Sequence, residues 1–266
     1  MNRLLLKSIR LKELLALAIF AFVAVAGIAQ SSNSSVTKNA KTVKVEIRKV
    51  GNRYQLLRDG QPYFVKGAGG SSYPNRIAAY GGNSIRTWGS NNGQQVLYSA
   101  QKYGLTVLMG LDVARERHGF DYDDMAVVKK QLETLRAEVF KYRNHPALLA
   151  WGIGNELNLQ YKNLKVWNAV NDISKMIHSL DPNHPTCTVL AGVNKELVDY
   201  IKVKCSDIDF LSINTYGGLA TLPKTVTNAG WEGAYMVTEW GPTGHWEGLS
   251  TEWKSPIEET SSEKAA

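Results

Sequence analysis

Two glutamates close two of the most apolar segments of the chain. Glu156 follows the run Leu148–Gly154, and Glu239 follows Ala234–Thr238. A carboxylate at the end of a buried strand costs free energy unless it is paired or opens into a cleft. Two such carboxylates predict a pair that faces each other across one pocket. Glycoside hydrolysis uses such a pair most directly, because one carboxyl group protonates the leaving oxygen while the other attacks the anomeric carbon. For either glutamate alone, a helix cap or an ion pair with an arginine is the alternative.

The elements that must position these carboxylates are short apolar runs separated by helical stretches. Runs such as L-T-V-L-M-G-L are apolar on both faces, which is typical of buried parallel strands. The seven predicted strands are Tyr63–Gly67, Gly82–Thr87, Thr106–Leu111, Leu148–Gly154, Cys187–Leu190, Ile208–Ile213 and Ala234–Thr238. The four predicted helices are Gly93–Tyr103, Asp123–Tyr142, Leu164–Leu180 and Lys195–Lys202.

This alternation is typical of an α/β fold, either a doubly wound sheet or a TIM barrel. The Gly-rich segment Gly67–Gly70 does not complete the G-x-G-x-x-G fingerprint of a doubly wound dinucleotide-binding fold. Polar residues instead collect at the C-terminal ends of the strands, where a barrel enzyme carries its chemistry. The strand-end polar residues are Arg86, Asp112, Asn155, Glu156, Asn214, Tyr216 and Glu239.

The predicted fold is therefore a (β/α)8-type TIM barrel that lacks its eighth strand. Residues 241–248 have the composition of a loop, and residues 250–266 form a polar, helix-prone tail. We expect an open seven-stranded barrel with a gap between strands one and seven, marginal as a monomer and weakly active at most. The catalytic domain, residues 63–266, is thus expected to be C-terminally incomplete, and a missing C-terminal segment is one of its candidate partners.

The N-terminal residues predict export. Residues 1–29 combine a basic start, a long uncharged run and a small-residue exit, which is the pattern of a signal peptide. Residues 30–41 are polar and predict a flexible linker. Residues 42–62 predict a β-hairpin at the bottom of the barrel. We expect a periplasmic or extracellular protein, with membrane contact only through the signal segment if it stays uncleaved.

Charge and composition exclude several classes of protein. The net charge is +7, but part of the basic excess lies in the N-terminal segment, and no basic block is interleaved with aromatic residues, so we expect no nucleic-acid partner. No His-x-x-x-His pair or cluster of metal ligands is found, and neither a metal nor a cofactor is expected. Cys187 and Cys205 are expected either to pair in an oxidising compartment or to remain two buried free thiols.

Several motifs resemble clan A glycoside hydrolases, especially the barrel domain of glycoside hydrolase family 2. The most specific is H-P-A-L-L-A-W-G-I-G-N-E-L-N, which is similar to the acid/base strand of that family and is followed by a second Glu on strand seven. The similar segments are Phe64–Gly70, Gly81–Gly89, His145–Asn158, Phe210–Gly217 and Met236–Gly241.

The resemblance implies a retaining O-glycosyl hydrolase that acts on a β-linked oligo- or polysaccharide by double displacement. By this resemblance Glu156 is the acid/base and Glu239 the nucleophile. Asn155 matches the residue that holds the substrate 2-hydroxyl, Tyr216 the tyrosine that hydrogen-bonds the nucleophile, and Arg86 the arginine beneath it. A cation and a phenol beside Glu239 would keep that carboxylate ionised.

Four further residues are candidates for sugar binding. His118 lies in the polar segment after strand three, which either lines the sugar subsites or forms a solvated loop. Trp88, Trp240 and Trp246 fall at or just after predicted strand ends, where a sugar face could stack, although core packing is the alternative. Two rival functions also remain, a non-catalytic carbohydrate-binding barrel and a transglycosylase that uses the same two glutamates.

Overall fold

A computed structural model describes residues 42–244 and 246–265. The predicted signal peptide, residues 1–29, and the predicted linker, residues 30–41, lie outside the described residues. The predicted hairpin and barrel both lie within one compact unit.

The N-terminal element is a three-stranded antiparallel sheet, one strand more than the predicted hairpin. Its strands are β1 (Val45–Val50), β2 (Arg53–Arg58) and β3 (Gln61–Pro62). The β2–β3 turn needs two residues with positive φ, and Asp59 and Gly60 supply them at 52° and 74°.

This sheet covers the bottom of the barrel, as the sequence predicts. The N–H of Val45 donates to Asn183 O at 2.8 Å, and Arg58 Nη2 donates to Pro146 O at 2.9 Å. Both acceptors precede barrel strands, and Ile47 packs against the small interior cluster that contains Leu108 and Phe210. The sheet does not cover the opposite end of the barrel, where the C-terminal ends of the strands lie.

Seven parallel strands form the barrel in sequence order, which confirms the predicted fold class. They are β4 (Gly67–Gly69), β5 (Ser84–Arg86), β6 (Thr106–Leu111), β7 (Leu148–Ile153), β8 (Thr186–Ala191), β9 (Phe210–Tyr216) and β10 (Ala234–Gly241). The five inner strands, β5 to β9, are largely buried, as strands covered on both faces must be, whereas the outer strands β4 and β10 are mostly exposed or half-buried.

The first barrel strand was predicted wrongly at Tyr63–Gly67. The side chain of Asn83 bonds this segment instead of a strand partner, because its Oδ1 accepts from Lys66 N and its Nδ2 donates to Phe64 O, both at 2.8 Å. Regular pairing with β5 begins only at Gly67.

Helices cover the outside of the barrel, and all four predicted helices are present. The helices are α1 (Pro74–Ala79), α2 (Gly93–Lys102), α3 (Met125–Tyr142), α4 (Lys165–Leu180), α5 (Lys195–Lys204), α6 (Leu222–Asn228) and α7 (Ser261–Ala265), with a 3-10 turn at Glu116–His118. Helix α4 presents an apolar face to the sheet, with Val166, Val170, Ile173 and Ile177 nearly inaccessible to solvent. Asp124 caps α3 by accepting from Ala126 N and Val127 N.

The barrel is open between β4 and β10. Both strands are edges of the sheet, and no eighth strand joins them within residues 42–244 and 246–265. A cavity of about 830 Å³ follows this seam from Arg86 and Glu239 at the top to Leu56 and Tyr63 at the bottom. The expectation of a seven-stranded barrel without an eighth strand is confirmed for this part of the chain, and β4 and β10 lie near each other without pairing.

The two cysteines are free and buried, so of the two alternatives the second is correct. Cys187 lies inside the barrel, whereas Cys205 belongs to the larger cluster between strands and helices. Burial raises the pKa of each thiol to about 12, so both stay protonated near neutral pH. Within the described residues, no helix is both long and apolar enough to cross a membrane.

Candidate active site

Glu156 lies just beyond β7 in a left-handed backbone conformation. Its φ is 53°, and Gly154 two residues earlier has a φ of 71°. Residues other than glycine and asparagine rarely adopt this backbone conformation. Those that do are concentrated at functional sites. The N–H of Glu156 donates to Val189 O at 2.8 Å, which ties the residue to β8.

Glu239 follows a β-bulge in β10. Val237 pairs with Ile213 and Glu239 pairs with Asn214, so Thr238 is the extra residue. Successive strand residues normally point to opposite faces, but a bulge changes where a side chain is aimed. Both Thr238 Oγ1, at 3.5 Å, and Glu239 Oε2, at 3.3 Å, reach the side-chain amide of Asn214.

Asn214 brings the two carboxylates together. Its Nδ2 atom donates to Glu156 Oε1 at 2.9 Å and to Glu239 Oε2 at 3.3 Å. Because both bonds share one nitrogen atom, the two carboxylate oxygens lie no more than about 6 Å apart. The two predicted catalytic residues therefore face each other at the C-terminal mouth of the barrel.

Asn214 is one of the strand-end polar residues noted in the sequence, but no role in the site was predicted for it, although a further signal existed. Side chains alternate along a strand, so residues 212, 214 and 216 share one face of β9. Tyr216 was selected, and Asn214, two residues before it and 4% exposed, points to the same side.

Arg86 lies beneath the pair, at the end of β5. It is 5% exposed, and its Nη1 donates to Glu239 Oε2 at 2.7 Å while its Nη2 donates to Asn155 Oδ1. A buried cation needs such a charged partner. The structure thus places Arg86 and Asn155 with the carboxylates.

Besides Asn214, three donors hold Glu239 in its ionised form. Tyr216 Oη donates to Oε1, while Trp88 Nε1 and Arg86 Nη1 donate to Oε2 at 2.8 and 2.7 Å. Burial alone raises the pKa of the Glu239 carboxyl, but these hydrogen bonds and the Arg86 charge outweigh it, so the pKa lies below its usual value of 4.5. Burial, together with the bond to Glu239, raises the pKa of Tyr216 to about 12.

Asn155 keeps one polar group for a ligand. The bond from Arg86 to its Oδ1 fixes the orientation of the amide, and no described residue accepts a hydrogen bond from its Nδ2. An oriented N–H₂ group beside two carboxylates is suited to a sugar hydroxyl.

The other predicted sugar-binding residues differ in how close they lie to the carboxylates. Trp88 contacts Glu239 directly and is 41% exposed. Trp240 lines the seam cavity, and Trp246 packs edge-on against Tyr216 with ring centroids 5.1 Å apart. His118 is exposed on the 3-10 turn, and no hydrogen bond within the described residues links its side chain to the carboxylates. The role of each in sugar binding stays a prediction.

The arrangement combines an ionised carboxylate, a second carboxyl group within reach and an oriented amide, all at one end of the barrel. Residues 42–244 and 246–265 contain no group of three or more His, Cys, Asp or Glu side chains positioned to hold a metal ion.

The sequence profile of glycosyl hydrolases family 2, TIM barrel domain, matches residues 74–257, which is more than half of the chain. The chain belongs to glycosyl hydrolase family 2. The sequence-based resemblance to this family is thereby confirmed.

Solved structures with a similar fold include members of this family. A β-D-glucuronidase from Dictyoglomus thermophilum is 20% identical with a TM-score of 0.58, and the match covers 79% of this chain and 40% of that one. A family 2 β-galacturonidase from Eisenbergiella tayi, bound to galacturonate, is 21% identical with a TM-score of 0.56, covering 79% and 41%. A β-1,4-D-mannanase from Cryptopygus antarcticus is 15% identical with a TM-score of 0.51, covering 67% and 72%.

At these identities the likeness describes the fold alone. This family 2 chain spans about 40% of the length of the two uronidases. A sequence comparison with curated proteins gave no match.

Proposed function

We propose that this family 2 domain is a retaining β-glycoside hydrolase in which Glu239 is the nucleophile and Glu156 the acid/base. The observation that carries the proposal is the single amide nitrogen of Asn214 shared by the two carboxylates. A separation of about 5–5.5 Å is typical of retaining glycosidases, and inverting enzymes need room for a water molecule between their carboxyl groups.

The electrostatics support the assignment of the two roles. A nucleophile must be ionised, and the hydrogen bonds from Tyr216, Trp88 and Arg86 lower the pKa of Glu239. Glu156 receives one hydrogen bond, from Asn214, and no described residue donates to its Oε2. That oxygen is free to face the glycosidic oxygen of a substrate.

The reaction then has two steps. A carboxylate oxygen of Glu239 forms a bond to the anomeric carbon while the bond to the leaving oxygen breaks and Glu156 gives that oxygen its proton. In the second step Glu156 takes a proton from water, the water oxygen attacks the anomeric carbon, and the ester to Glu239 breaks. Asn155 and the exposed aromatic side chains would hold the sugar.

The proposed substrates are β-linked glycosides, and uronides are the first to test. Two of the similar structures are a β-glucuronidase and a β-galacturonidase, and a third is a β-1,4-mannanase. The panel should therefore contain 4-nitrophenyl β-D-glucuronide, galacturonide, mannoside, glucoside and galactoside.

The decisive experiment is trapping of the covalent intermediate. A 2-fluoro glycosyl fluoride of the sugar that the protein cleaves should add one glycosyl mass to the peptide carrying Glu239, and proton NMR should show the β anomer as first product. Glu239→Gln should abolish labelling, whereas Glu247→Gln, a control in the loop after β10, should not. An α first product, or label on another residue, would contradict the proposal.

Longer oligosaccharides as the main product would indicate a transglycosylase, and bound but unchanged sugar would indicate a binding protein.

We also propose that the protein is exported. The support is the sequence of residues 1–29 alone. Expression in a bacterial host followed by N-terminal sequencing of the periplasmic fraction should give a chain that begins near residue 30. Recovery of the uncut chain in the cytosol would refute export.

A further inference from the structure

The polar turn after β6 contacts the backbone on which Glu156 is carried. Arg115 Nε donates to Asn155 O at 3.1 Å, and Arg117 Nη1 donates to Glu156 O at 2.5 Å and to Leu159 O at 3.4 Å. These side chains reach across about 40 residues of sequence to the segment that follows β7.

Glu116, between the two arginines, binds the far end of the same segment. Its Oε2 accepts from Lys162 N at 2.6 Å and from Asn163 N at 2.9 Å. Three consecutive side chains, residues 115–117, therefore engage five backbone groups between residues 155 and 163. We call residues 115–117 the clip.

The clip is itself anchored to the barrel. Ala114 N donates to the side chain of Gln131 on α3 at 2.7 Å. Arg115 is 19% exposed, and its ion pair with Asp112 is long at 3.8 Å. Arg115 thus contributes mainly through its bond to the Asn155 carbonyl.

The clip brings two positive charges, those of Arg115 and Arg117, close together. Burial lowers the pKa of Arg117, and the nearby positive charge of Arg115 lowers it further. Two like charges held close together in a half-buried site must be stabilised by their other contacts. Those contacts are the carbonyl oxygens of Asn155, Glu156 and Leu159.

The segment that the clip holds contains a strained residue. Glu156 has a φ of 53°, and such a conformation persists only where the surrounding structure fixes it. The carbonyl of Glu156 accepts from Arg117 Nη1 and from Leu159 N, while its N–H is held by Val189 O. Release of the carbonyl would let the backbone relax and turn the carboxyl group away from Asn214.

We propose that Arg115, Glu116 and Arg117 are positioning residues that hold the strained backbone of Glu156 and thereby aim its carboxyl group. This rests on the proposed function, since it assigns Glu156 the proton transfer. If the Glu156 carboxyl group is misplaced, cleavage of a leaving group that needs a proton should slow down. Cleavage of a leaving group that needs no proton, which depends on Glu239, should not.

The experiment compares two leaving groups on the same sugar. A methyl glycoside requires protonation of its leaving oxygen, whereas a 2,4-dinitrophenyl glycoside does not. For Arg117→Met we expect kcat/KM to fall about 100-fold on the methyl glycoside, within the range of general acid catalysis, and to stay within about threefold on the dinitrophenyl glycoside. Added azide should raise kcat of this variant on the dinitrophenyl glycoside, and Arg117→Lys should recover part of the loss.

The control and a second measurement separate aiming from folding. Arg136→Met removes an exposed arginine on α3 that pairs with Glu133 at 3.1 Å. This variant should change kcat/KM on neither the methyl nor the dinitrophenyl glycoside. Amide hydrogen exchange of the peptide covering residues 154–163 should become faster in Arg117→Met and stay unchanged in Arg136→Met.

Equal losses on both substrates, or unchanged exchange, would overturn the positioning role while leaving the proposed function standing. A wild-type protein that cleaves neither substrate for any sugar in the panel would reject the proposed function, and the positioning role with it.

Discussion

Tyr216 is the residue whose removal most directly tests the charge state of Glu239. Its hydroxyl group donates to Oε1 and helps to lower the pKa of that carboxyl. A carboxylate with a lowered pKa in the fold contributes stability above its unfolded pKa, and this contribution is lost as the pH falls through the folded value.

In Tyr216→Phe we expect the pKa of Glu239 to rise by about one pH unit, since a hydrogen bond to a charged group contributes about 1.5 kcal/mol or more. The acidic limb of the kcat/KM profile should move to higher pH by the same amount. Tyr80→Phe, at an exposed position on the outside of the barrel, serves as control. An unchanged acidic limb would mean that Glu239 does not set it.

Asn214 gives a second prediction, in which the order of activity of two variants is decisive. Asn214→Ala removes the shared donor and should lower kcat/KM about 100-fold, as loss of a preorganised donor does. Asn214→Asp keeps the shape but replaces the donor by an oxygen that repels both carboxylates. Near neutral pH the Asp variant should therefore be less active than the Ala variant, and the reverse order would contradict the bridging role.

Among the elements, β6 and the segment that follows β5 approach so closely that one glycine is required. A Cβ on Gly110 would lie 2.5 Å from Thr87 O and 2.5 Å from the carbonyl carbon of Trp88. The paired glycine on β7, Gly152, would place its Cβ 3.1 Å from a flexible methyl group of Leu108. The first clash involves backbone, whereas the second can be relieved by a side-chain movement.

Gly110→Ala should destabilise the fold by about 1–3 kcal/mol, the usual cost of overpacking, and Gly152→Ala by less than about 1 kcal/mol. Because Trp88 donates to Glu239, the first variant should also lose activity. Urea unfolding and kcat/KM measure the two effects. Equal destabilisation by both variants would contradict this distinction between a backbone clash and a side-chain clash.

The elements also show why some features could be predicted from the sequence and others could not. The apolar runs of β6, β7 and β10 and the periodic face of α4 are local patterns, and they predicted those elements within a few residues. Helices α1 and α6 have six and seven residues and too few apolar positions to establish a period.

The candidate site divides in the same way. Glu156 and Glu239 end apolar runs, so their position at the mouth follows from the sequence pattern. The clip could not be predicted, because its side chains bind backbone groups some 40 residues away and a run of charges looks the same in a solvated loop. Asn83 displaced the first strand for a related reason, since its side chain replaced a backbone partner.

At the scale of the whole molecule, the seam predicts self-association. Within residues 42–244 and 246–265 the outer edges of β4 and β10 have no strand partner, and Phe64 and Tyr235 at these edges are 81% and 39% exposed. Exposed apolar edges pair with other chains, and lysine on an edge prevents this.

Sedimentation velocity should show concentration-dependent association of the wild-type protein, and Phe64→Lys with Tyr235→Lys should reduce it without lowering the melting temperature. Tyr80→Lys, at an aromatic position that is 89% exposed and lies outside the cavity lining, should not reduce it. A wild-type protein that stays monomeric at every concentration would contradict the prediction.

The seam also makes the two carboxylates mechanically unequal. Strand β7, which precedes Glu156, is paired on both sides, whereas β10, which contains Glu239, pairs only with β9 in the part of the chain that the structure describes. In a closed barrel the strand number and shear fix the radius. In a barrel whose first and last strands are not paired, the distance between these two strands can change. The separation of the two carboxylates can then change most easily through movement of Glu239. On warming, Glu239 should lose its register before the rest of the barrel melts, so activity should fall at a temperature below the midpoint of unfolding.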